Sequence, residues 1–295
     1  FVGGGRPSFM LSRVHKSKLA RQIKKTHKHG LSFNYLLNAT CIGNRELTVW
    51  GQRRLRSTLD WLVNNDVDAV TVSLPYLLEF IKHGYPRLKV YVSTMAGVDS
   101  AERAKYWEDL GADRITISAV SSVIRDFTRL RIIRKNIDCE LQLIVNLTCL
   151  RDCPFWAYHS AAHSHASQDH HRTRGFLIDY CFLMCNYIKL RDPAEFIRSG
   201  WIRPEDVGYY EKIGFDRIKF ANRNMSTDAT ARLITSYAKR RYEGNLLELF
   251  SDKSKFDSFR RRDRELRNKI RYFFRPSDVN IFKLLKLRGL LADPW

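Results

Sequence analysis

The chain has 295 residues and can bury a full core, since 44% of them are hydrophobic and 12% are aromatic, which excludes a wholly disordered or collagen-like protein. No apolar stretch approaches the ~18 residues that a membrane span needs, and the start lacks the pattern of an export signal, so a globular protein of the cytoplasm is expected. The formal net charge of +20 would attract nucleic acid, an anionic cofactor or an acidic partner, and its sign alone does not choose among these.

Short β-branched runs alternate with amphipathic stretches along residues 1–250, which is typical of consecutive β-α units around a parallel sheet. Strands are predicted for residues 33–39, 68–74, 89–94, 113–119, 139–147 and 215–221. Helices are predicted for residues 48–64, for residues 99–110 with a cap at Asp99 and Ser100, and for residues 124–137. The spacing of roughly 25 residues per unit favours a TIM-like (β/α) barrel, and periodicity also permits a doubly wound open sheet.

Two segments of this α/β domain are less regular. The chain opens with a glycine run before Arg6 that resembles a loop following a strand, so we expect an N-terminally truncated barrel. The same run suits either an anion cradle or a tight turn. Residues 174–191 are predicted to hold a further strand, interrupted by a pair of cysteines.

Residues 251–295 form the second predicted unit, a basic helical extension with 13 Lys and Arg residues against 6 Asp and Glu residues. The apolar residues of its first part share one helical stripe. They are Phe256, Phe259, Leu266, Ile270 and Phe273. This pattern predicts either a helix that docks on the barrel or a contact with RNA or a protein partner.

Four of the six cysteines form two pairs with the same spacing, Cys149-x3-Cys153 and Cys181-x3-Cys185. The first pair follows the predicted strand 139–147, where a barrel presents the loops of its active face. In a large chain without an export signal, paired thiols favour metal ligation over disulfides. Four cysteines suit either an iron–sulfur cluster or a zinc ion, and spacing alone does not decide between them.

A histidine-rich segment, residues 159–171, follows the first cysteine pair and is predicted as a loop. His159 is best placed in it as a ligand, an acid or a base. Polar residues also end several predicted strands. They are Asn38, Cys41, Ser73, Ser93, Thr94, Ser118, Asn146, Asn222 and Arg223. The carboxyl ends of parallel strands share one face, which predicts a pocket where Arg125, Arg223 and Asn146 bind a carboxylate, a phosphate or a nucleobase edge.

Three segments carry a resemblance to a known family. LIVNLTCLRDCPFWAYH, the upstream ITISAVSSVIRDFTRLRIIRK and the downstream GYYEKIGFDRIKFANRN resemble the peptidase U32 family, over about residues 30–245. The resemblance implies a TIM-barrel-like domain with a [4Fe-4S] cluster, for which zinc is the alternative. The implied ligands are Cys149, Cys153, Cys181 and Cys185. Arg125 matches an arginine that the family carries after a barrel strand.

Members of that family that are enzymes look more like oxygen-independent hydroxylases of RNA bases or of the ubiquinone ring than like proteases. The resemblance therefore implies an iron–sulfur-dependent enzyme that hydroxylates an RNA base or a small aromatic or quinone substrate. In this hypothesis Arg125 and Arg223 position an anionic group, Asn38 or Asn146 orients the substrate, and His159 acts as an acid or base. The alternatives are a metal-dependent peptidase and a non-catalytic metal-cluster scaffold that binds RNA or a protein partner.

Overall fold

Six short strands form one parallel sheet in the computed structural model, which describes residues 3–8, 14–168, 177, 179–221 and 225–249. They are β1 (Asn34–Leu37), β2 (Ala69–Val72), β3 (Lys89–Val92), β4 (Arg114–Thr116), β5 (Glu140–Ile144) and β6 (Arg217–Lys219). Each lies inside a predicted strand, so all six predictions are confirmed. The strands are shorter than predicted because the polar residues that follow them leave the ladder.

The strand order supports a barrel-type fold. Each strand pairs in parallel with the strand before it along the chain, in the order β1-β2-β3-β4-β5-β6. Leu37 lies opposite Val72, which in turn lies opposite Val92. A doubly wound sheet reverses its strand order at one point, and no such reversal occurs among the described strands. The chain therefore has an α/β fold with the strand succession of a TIM-like barrel.

Helices connect the strands and cover the sheet. They are α1 (Lys16–Lys28), α2 (Val49–Val63), α3 (Pro75–Gly84), α4 (Ala101–Asp109), α5 (Phe127–Asn136), α6 (Trp156–Ala166), α7 (Tyr180–Arg191), α8 (Ala194–Arg198), α9 (Val207–Glu211) and α10 (Thr227–Ala238). The three predicted helices correspond to α2, α4 and α5. The predicted cap of α4 is confirmed, since Ser100 Oγ accepts the N–H of Arg103 at 3.3 Å.

The core lies between the sheet and these helices. Val70, Val90 and Leu143 of the sheet are fully buried, as are Leu59 of α2 and Ile81 of α3. Each side chain of this kind contributes about 1.5–3 kcal/mol when it leaves water. This apolar layer stabilises the fold, so the positions at the carboxyl ends of the strands can be polar.

The strand predicted within residues 174–191 is wrong for residues 180–191, which form helix α7, and residues 174–176 and 178 lie outside the described residues. Asp179 begins this helix by accepting the N–H of Phe182 on Oδ1 at 3.0 Å. A short apolar run does not distinguish a strand from a helix by periodicity, and the cap residue favours the helix here. The helix places Cys181 and Cys185, four residues apart, on one face.

Helix α6 connects the region after β5 with the loop after β1. Ser164 Oγ accepts the N–H of Thr40 at 2.8 Å, and Gln168 Nε2 donates to the carbonyl oxygen of Cys41 at 2.8 Å. Thr40 and Cys41 follow β1, whereas α6 follows β5. The loops after the first and fifth strands therefore meet, as a curled sheet requires.

Three predictions fall on residues outside the described part of the chain. The basic extension 251–295 lies there, and so do Asn222 and Arg223. The division into residues 1–250 and 251–295 stays a prediction. Among the described residues, no helix combines the length and the apolarity that a membrane crossing needs.

Candidate metal centre

The two cysteine pairs lie on two segments that contact each other through Lys189 and Thr148. Cys149 and Cys153 lie in the loop after β5, and Cys181 and Cys185 lie on α7. Burial raises the pKa of Cys149 to about 12, and the neighbouring Cys153 and Cys185 add to the rise. Burial also raises the pKa of Cys181 to about 11, followed by the effects of Asp179, Cys153 and Cys185. Residues of each cysteine pair thus affect the pKa of a cysteine in the other pair.

A buried lysine lies between the two pairs. The Lys189 side chain is on α7, the residue is 4% exposed, and its Nζ donates a hydrogen bond to the carbonyl oxygen of Thr148. The same Nζ lies 5.3 Å from the centre of the Phe196 ring. Its charge lowers the pKa of Cys149 and of Cys185, against the larger effect of burial. No carboxylate of the described residues pairs with Lys189, and a metal that deprotonates the neighbouring thiols would place anions beside this buried cation.

A closed zinc site and a four-iron cluster require different separations of their four sulfurs. With Zn–S bonds of about 2.3 Å, the four sulfurs of a closed zinc site lie about 3.8 Å apart. In the part of the chain that the structure describes, no three cysteine sulfurs lie within 4.8 Å of one another. A four-iron cluster holds its thiolates farther apart, because each sulfur binds a different corner of a larger core.

Two histidines and an aspartate form a compact group beside the cysteines. Helix α6 places His159 and His163 four residues apart on one face, with ring centres 4.4 Å apart. Nε2 of His159 lies 2.9 Å from Oδ1 of Asp179, and Nε2 of His163 lies 2.8 Å from Oδ2. The three ligand atoms lie within 4.8 Å of one another, the separation that a metal ion needs.

The electrostatics of this group centre on Asp179. Burial alone would raise the pKa of Asp179, and hydrogen bonds from His159 and His163 offset this effect, so that the pKa lies well below its usual range.

The histidine-rich loop prediction is wrong for residues 159–166, which are helical, and His170 and His171 lie outside the described residues. The prediction placed His159 next to the cysteines and missed its carboxylate partner.

Arg6 brings a positive charge to the same group. Burial lowers the pKa of Arg6, and the negative charge of Asp179 opposes this effect, so the two charges are neighbours. The glycine run packs beside the end of β1, where the carbonyl of Gly3 accepts the N–H of Ala39 at 3.1 Å. A Cβ on Gly3 would collide with Oγ of Ser167. The described contacts of the glycine run are therefore packing contacts. They position the following residue, Arg6, beside Asp179.

The polar residues at the strand ends meet at one face, as predicted. Asn38 Nδ2 donates to Ser93 Oγ at 3.2 Å, and Ser73 Oγ donates to the carbonyl of Asn38 at 3.1 Å. Thr94 Oγ1 donates to the carbonyl of Ile117 at 3.1 Å. These side chains are buried and bond to one another and to the backbone. They tie the strand ends together and do not line an open pocket.

Two predicted site residues occupy different environments. Asn146 is 6% exposed and accepts the N–H of Ala221 at 2.8 Å, while its Nδ2 has no hydrogen-bond partner among the described residues. Arg125 is exposed and ends a single 3-10 turn. Its Nη2 lies 3.4 Å from the carbonyl oxygen of Trp201, and its guanidinium lies 6.0 Å from the centre of the Trp201 ring. The described contacts of Arg125 are thus with Trp201 and not with the cysteines.

Sequence reasoning missed Lys189 and the role of His163, and helical spacing from the predicted residues Cys185 and His159 was the signal that would have found them. Cys181, Cys185 and Lys189 recur every fourth residue, which places them on one face of α7. His159 and His163 show the same spacing on α6. Neither spacing is informative until the two segments are known to be helices.

Comparisons with known proteins relate the whole described domain to one group. Residues 7–164 match the model of peptidase family U32, a range that includes the first cysteine pair and His159 and His163 of α6. The chain is 34% identical over 259 residues to "Uncharacterized protease MJ1657" of Methanocaldococcus jannaschii, covering 88% of this chain and 75% of that protein. It also resembles "The Structure of the U32 Peptidase Mk0906", with a TM-score of 0.53 and 28% identity over 74% of this chain and 80% of that one.

Proposed function

The chain belongs to the peptidase U32 family, and on this premise we propose that it is an iron–sulfur-dependent modifying enzyme. The proposed ligands of a [4Fe-4S] cluster are Cys149, Cys153, Cys181 and Cys185. One observation carries the proposal. Lys189 is a buried cation that lies between two cysteine pairs and has no carboxylate partner among the described residues. Thiolates in this region would compensate its charge, and thiolates are the form in which cysteines bind iron.

The proposed reaction is the oxygen-independent hydroxylation of an RNA base or of a small aromatic or quinone ring, in which an organic donor would give its hydroxyl group to the ring carbon, take the displaced hydrogen in exchange and so be reduced. When bound, the cluster would supply one-electron chemistry at the carboxyl end of the sheet. Asn146 would hold a substrate oxygen through Nδ2, the group left without a described partner. When no metal ion occupies this group, His159, whose Nε2 is held by Asp179, would exchange a proton with the substrate. Lys189 would stabilise negative charge on the thiolates.

A basic surface supports RNA as the carrier of the substrate. Helix α1 has six Lys and Arg residues and no Asp or Glu residue, and all six are exposed. They are Lys16, Lys18, Arg21, Lys24, Lys25 and Lys28. A dense positive stripe binds the phosphate backbone, and such binding weakens steeply with salt. The proposed basic extension 251–295 would add to this surface.

Metal analysis tests the proposal directly. Protein purified without oxygen should contain about four irons and about four acid-labile sulfides per chain. Cys149→Ser should lose both. Cys139→Ser is the matched control, because Cys139 lies before β5, at the opposite end of that strand from Cys149, and its N–H bonds to Glu108. One zinc per chain without sulfide would contradict the proposal.

RNA binding is tested by charge reversal on α1. Lys24→Glu with Lys25→Glu should weaken RNA binding and reduce the dependence of log Kd on log salt by about one for each lost phosphate contact. The control is Arg131→Glu with Lys135→Glu, two exposed residues on α5. Equal losses in both double variants would indicate attraction by net charge without a defined RNA surface.

The alternative function is a peptidase, as the names of the similar proteins suggest. Hydrolysis of a peptide bond needs an activated nucleophile or an activated water, and thiolates that bind a cluster would supply neither. A peptidase would therefore need a second centre with an open position. Cleavage of an unfolded protein by the wild-type chain, retained by Cys149→Ser and lost on chelation, would favour this alternative.

A further inference from the structure

Two nitrogen ligands and one carboxylate converge at a point outside the thiolate region. The Nε2 atom of His159 lies 2.9 Å and 3.1 Å from the two carboxylate oxygens of Asp179, and that of His163 lies 2.8 Å from Oδ2. We propose that His159, His163 and Asp179 bind one divalent transition-metal ion, at a site separate from the four cysteines. This inference does not depend on the proposed iron–sulfur function.

The distances suit direct ligation. Adjacent ligands of an octahedral ion with bonds of about 2.1 Å lie about 3.0 Å apart, and those of tetrahedral zinc lie about 3.4 Å apart. The ligand atoms of the group lie 2.8–3.1 Å apart across its His–Asp pairs. An ion would enter by replacing the proton that each Nε2 directs toward the carboxylate, with only a small movement of the side chains.

The surrounding contacts hold the three side chains in place before any ion binds. Asp179 Oδ1 also accepts the N–H of Phe182 at 3.0 Å, which fixes the carboxylate at the start of α7. The two histidines are carried by α6, which is anchored to the loop after β1 through the buried Ser164. Ligands carried by two fixed helices lose little conformational freedom on binding a metal, which favours affinity.

The number of ligands indicates an open site. Structural zinc sites use four protein ligands, whereas two histidines and one carboxylate leave positions for water or substrate. The side chains of His159, His163 and Asp179 are 26%, 15% and 27% exposed, so solvent reaches the group. Arg6 adds a neighbouring positive charge. Water would occupy the open positions of a bound ion.

The chemistry of the donors separates the two sites. Thiolates select soft centres such as iron–sulfur clusters, whereas imidazole and carboxylate suit Zn²⁺, Fe²⁺ and related ions. The cysteines are not part of the compact group, because the only three potential ligands within 4.8 Å of one another among the described residues are His159, His163 and Asp179. The two sets of donors can therefore be told apart by the metal that each one binds.

Calorimetric titration with Zn²⁺ tests the inference. The full chain is purified without oxygen and treated with a chelator until zinc is removed and iron and sulfide are unchanged. We expect His163→Gln and Asp179→Asn to lose one Zn²⁺ equivalent, or to bind it at least tenfold more weakly, with iron and sulfide as in the wild type. Asn keeps a cap for α7, so this variant should fold. His83→Ala, an exposed histidine on α3, is the control.

A second measurement keeps the inference testable if a variant is unstable. An ion that binds only the folded chain raises the Tm. Zn²⁺ should raise the Tm of the wild type and of His83→Ala, and should leave the Tm of His163→Gln unchanged. Zn²⁺ binding by His163→Gln and Asp179→Asn that equals wild-type binding would overturn the inference. Absence of iron from the wild type would instead contradict the proposed function and leave this inference standing.

Discussion

The hydroxyl oxygen of Ser164 accepts a hydrogen bond from the backbone N–H of Thr40 at 2.8 Å, although the two residues are 124 positions apart. Ser164 is fully buried on α6, and Oγ also donates to the carbonyl of Ser160 at 2.7 Å. This contact connects the helix that carries both site histidines to the loop after the first strand. The position of the candidate metal group therefore depends on the curvature of the whole sheet.

Ser164→Ala should destabilise the fold by about 1–3 kcal/mol, because the N–H of Thr40 would be left without its acceptor in a partly buried setting. The measurement is the free energy of unfolding from urea titration. Ser57→Ala on α2 is the control, since Ser57 is exposed and the change should stay within about 0.5 kcal/mol. Equal effects of the two substitutions would show that the contact with Thr40 contributes nothing.

Gly200→Ala should destabilise the fold by about 1–3 kcal/mol, because the new Cβ would lie 2.5 Å from the carbonyl oxygen of Ala119. That oxygen belongs to the backbone and cannot rotate away. Gly208→Ala on α9 is the matched control, since a Cβ there meets nothing within 4 Å, and we expect a gain of roughly 0.4–1 kcal/mol. Thermal unfolding of both variants gives the comparison, and a stable Gly200→Ala would show that the two backbones can separate at little cost.

Glu108→Gln should weaken the fold at neutral pH. Oε1 of Glu108 accepts the N–H groups of Asp138 and Cys139, each at 2.7 Å, and Oε2 pairs with Lys105 at 2.8 Å. Burial alone would raise the pKa of Glu108, and these bonds offset that effect and lower it. We expect a loss of about 1–3 kcal/mol at pH 7, measured by urea unfolding.

The sign of the pH dependence follows from that lowered pKa. The folded-state pKa of Glu108 lies below the unfolded value of about 4.3, so the ionised carboxylate stabilises the fold above that pH. The contribution disappears as the pH falls through the folded-state pKa. The difference between wild type and Glu108→Gln should therefore narrow in acid. Glu79→Gln, an exposed residue on α3, should show no such change, and a constant difference across pH would contradict the assignment.

Lys189→Met should reduce the iron and sulfide content of protein purified without oxygen, because the buried ammonium compensates the thiolate charges in the proposed centre. Iron that remains bound should have a lower reduction potential, since a nearby positive charge favours the more negative reduced state. Lys135→Met on α5 is the control, because Lys135 is exposed and its helix carries none of the four proposed cysteine ligands. Full iron content with an unchanged potential in Lys189→Met would remove the main support for the proposed function.

Short segments of the sequence were enough to predict the strands, three of the helices and the metal-binding character of the cysteine pairs. Strands such as β2 are buried at every position and show this as a continuous apolar run. The spacing of Cys149 and Cys153 is likewise visible in the sequence. The same local information failed for residues 180–191, because an apolar run without clear periodicity suits a strand and a helix equally.

Only the tertiary structure decided which remote residues meet. Asp179 follows His163 by 16 positions, and their hydrogen bond exists because α6 and the start of α7 lie side by side. Thr148 lies 41 positions from Lys189, and their contact depends on the packing of α7 against the loop after β5. Periodicity reports which face of an element is apolar and carries no information about the distance between two elements. That distance is set by the curvature of the sheet and by the buried contacts across its carboxyl end, which are properties of the packed chain as a whole.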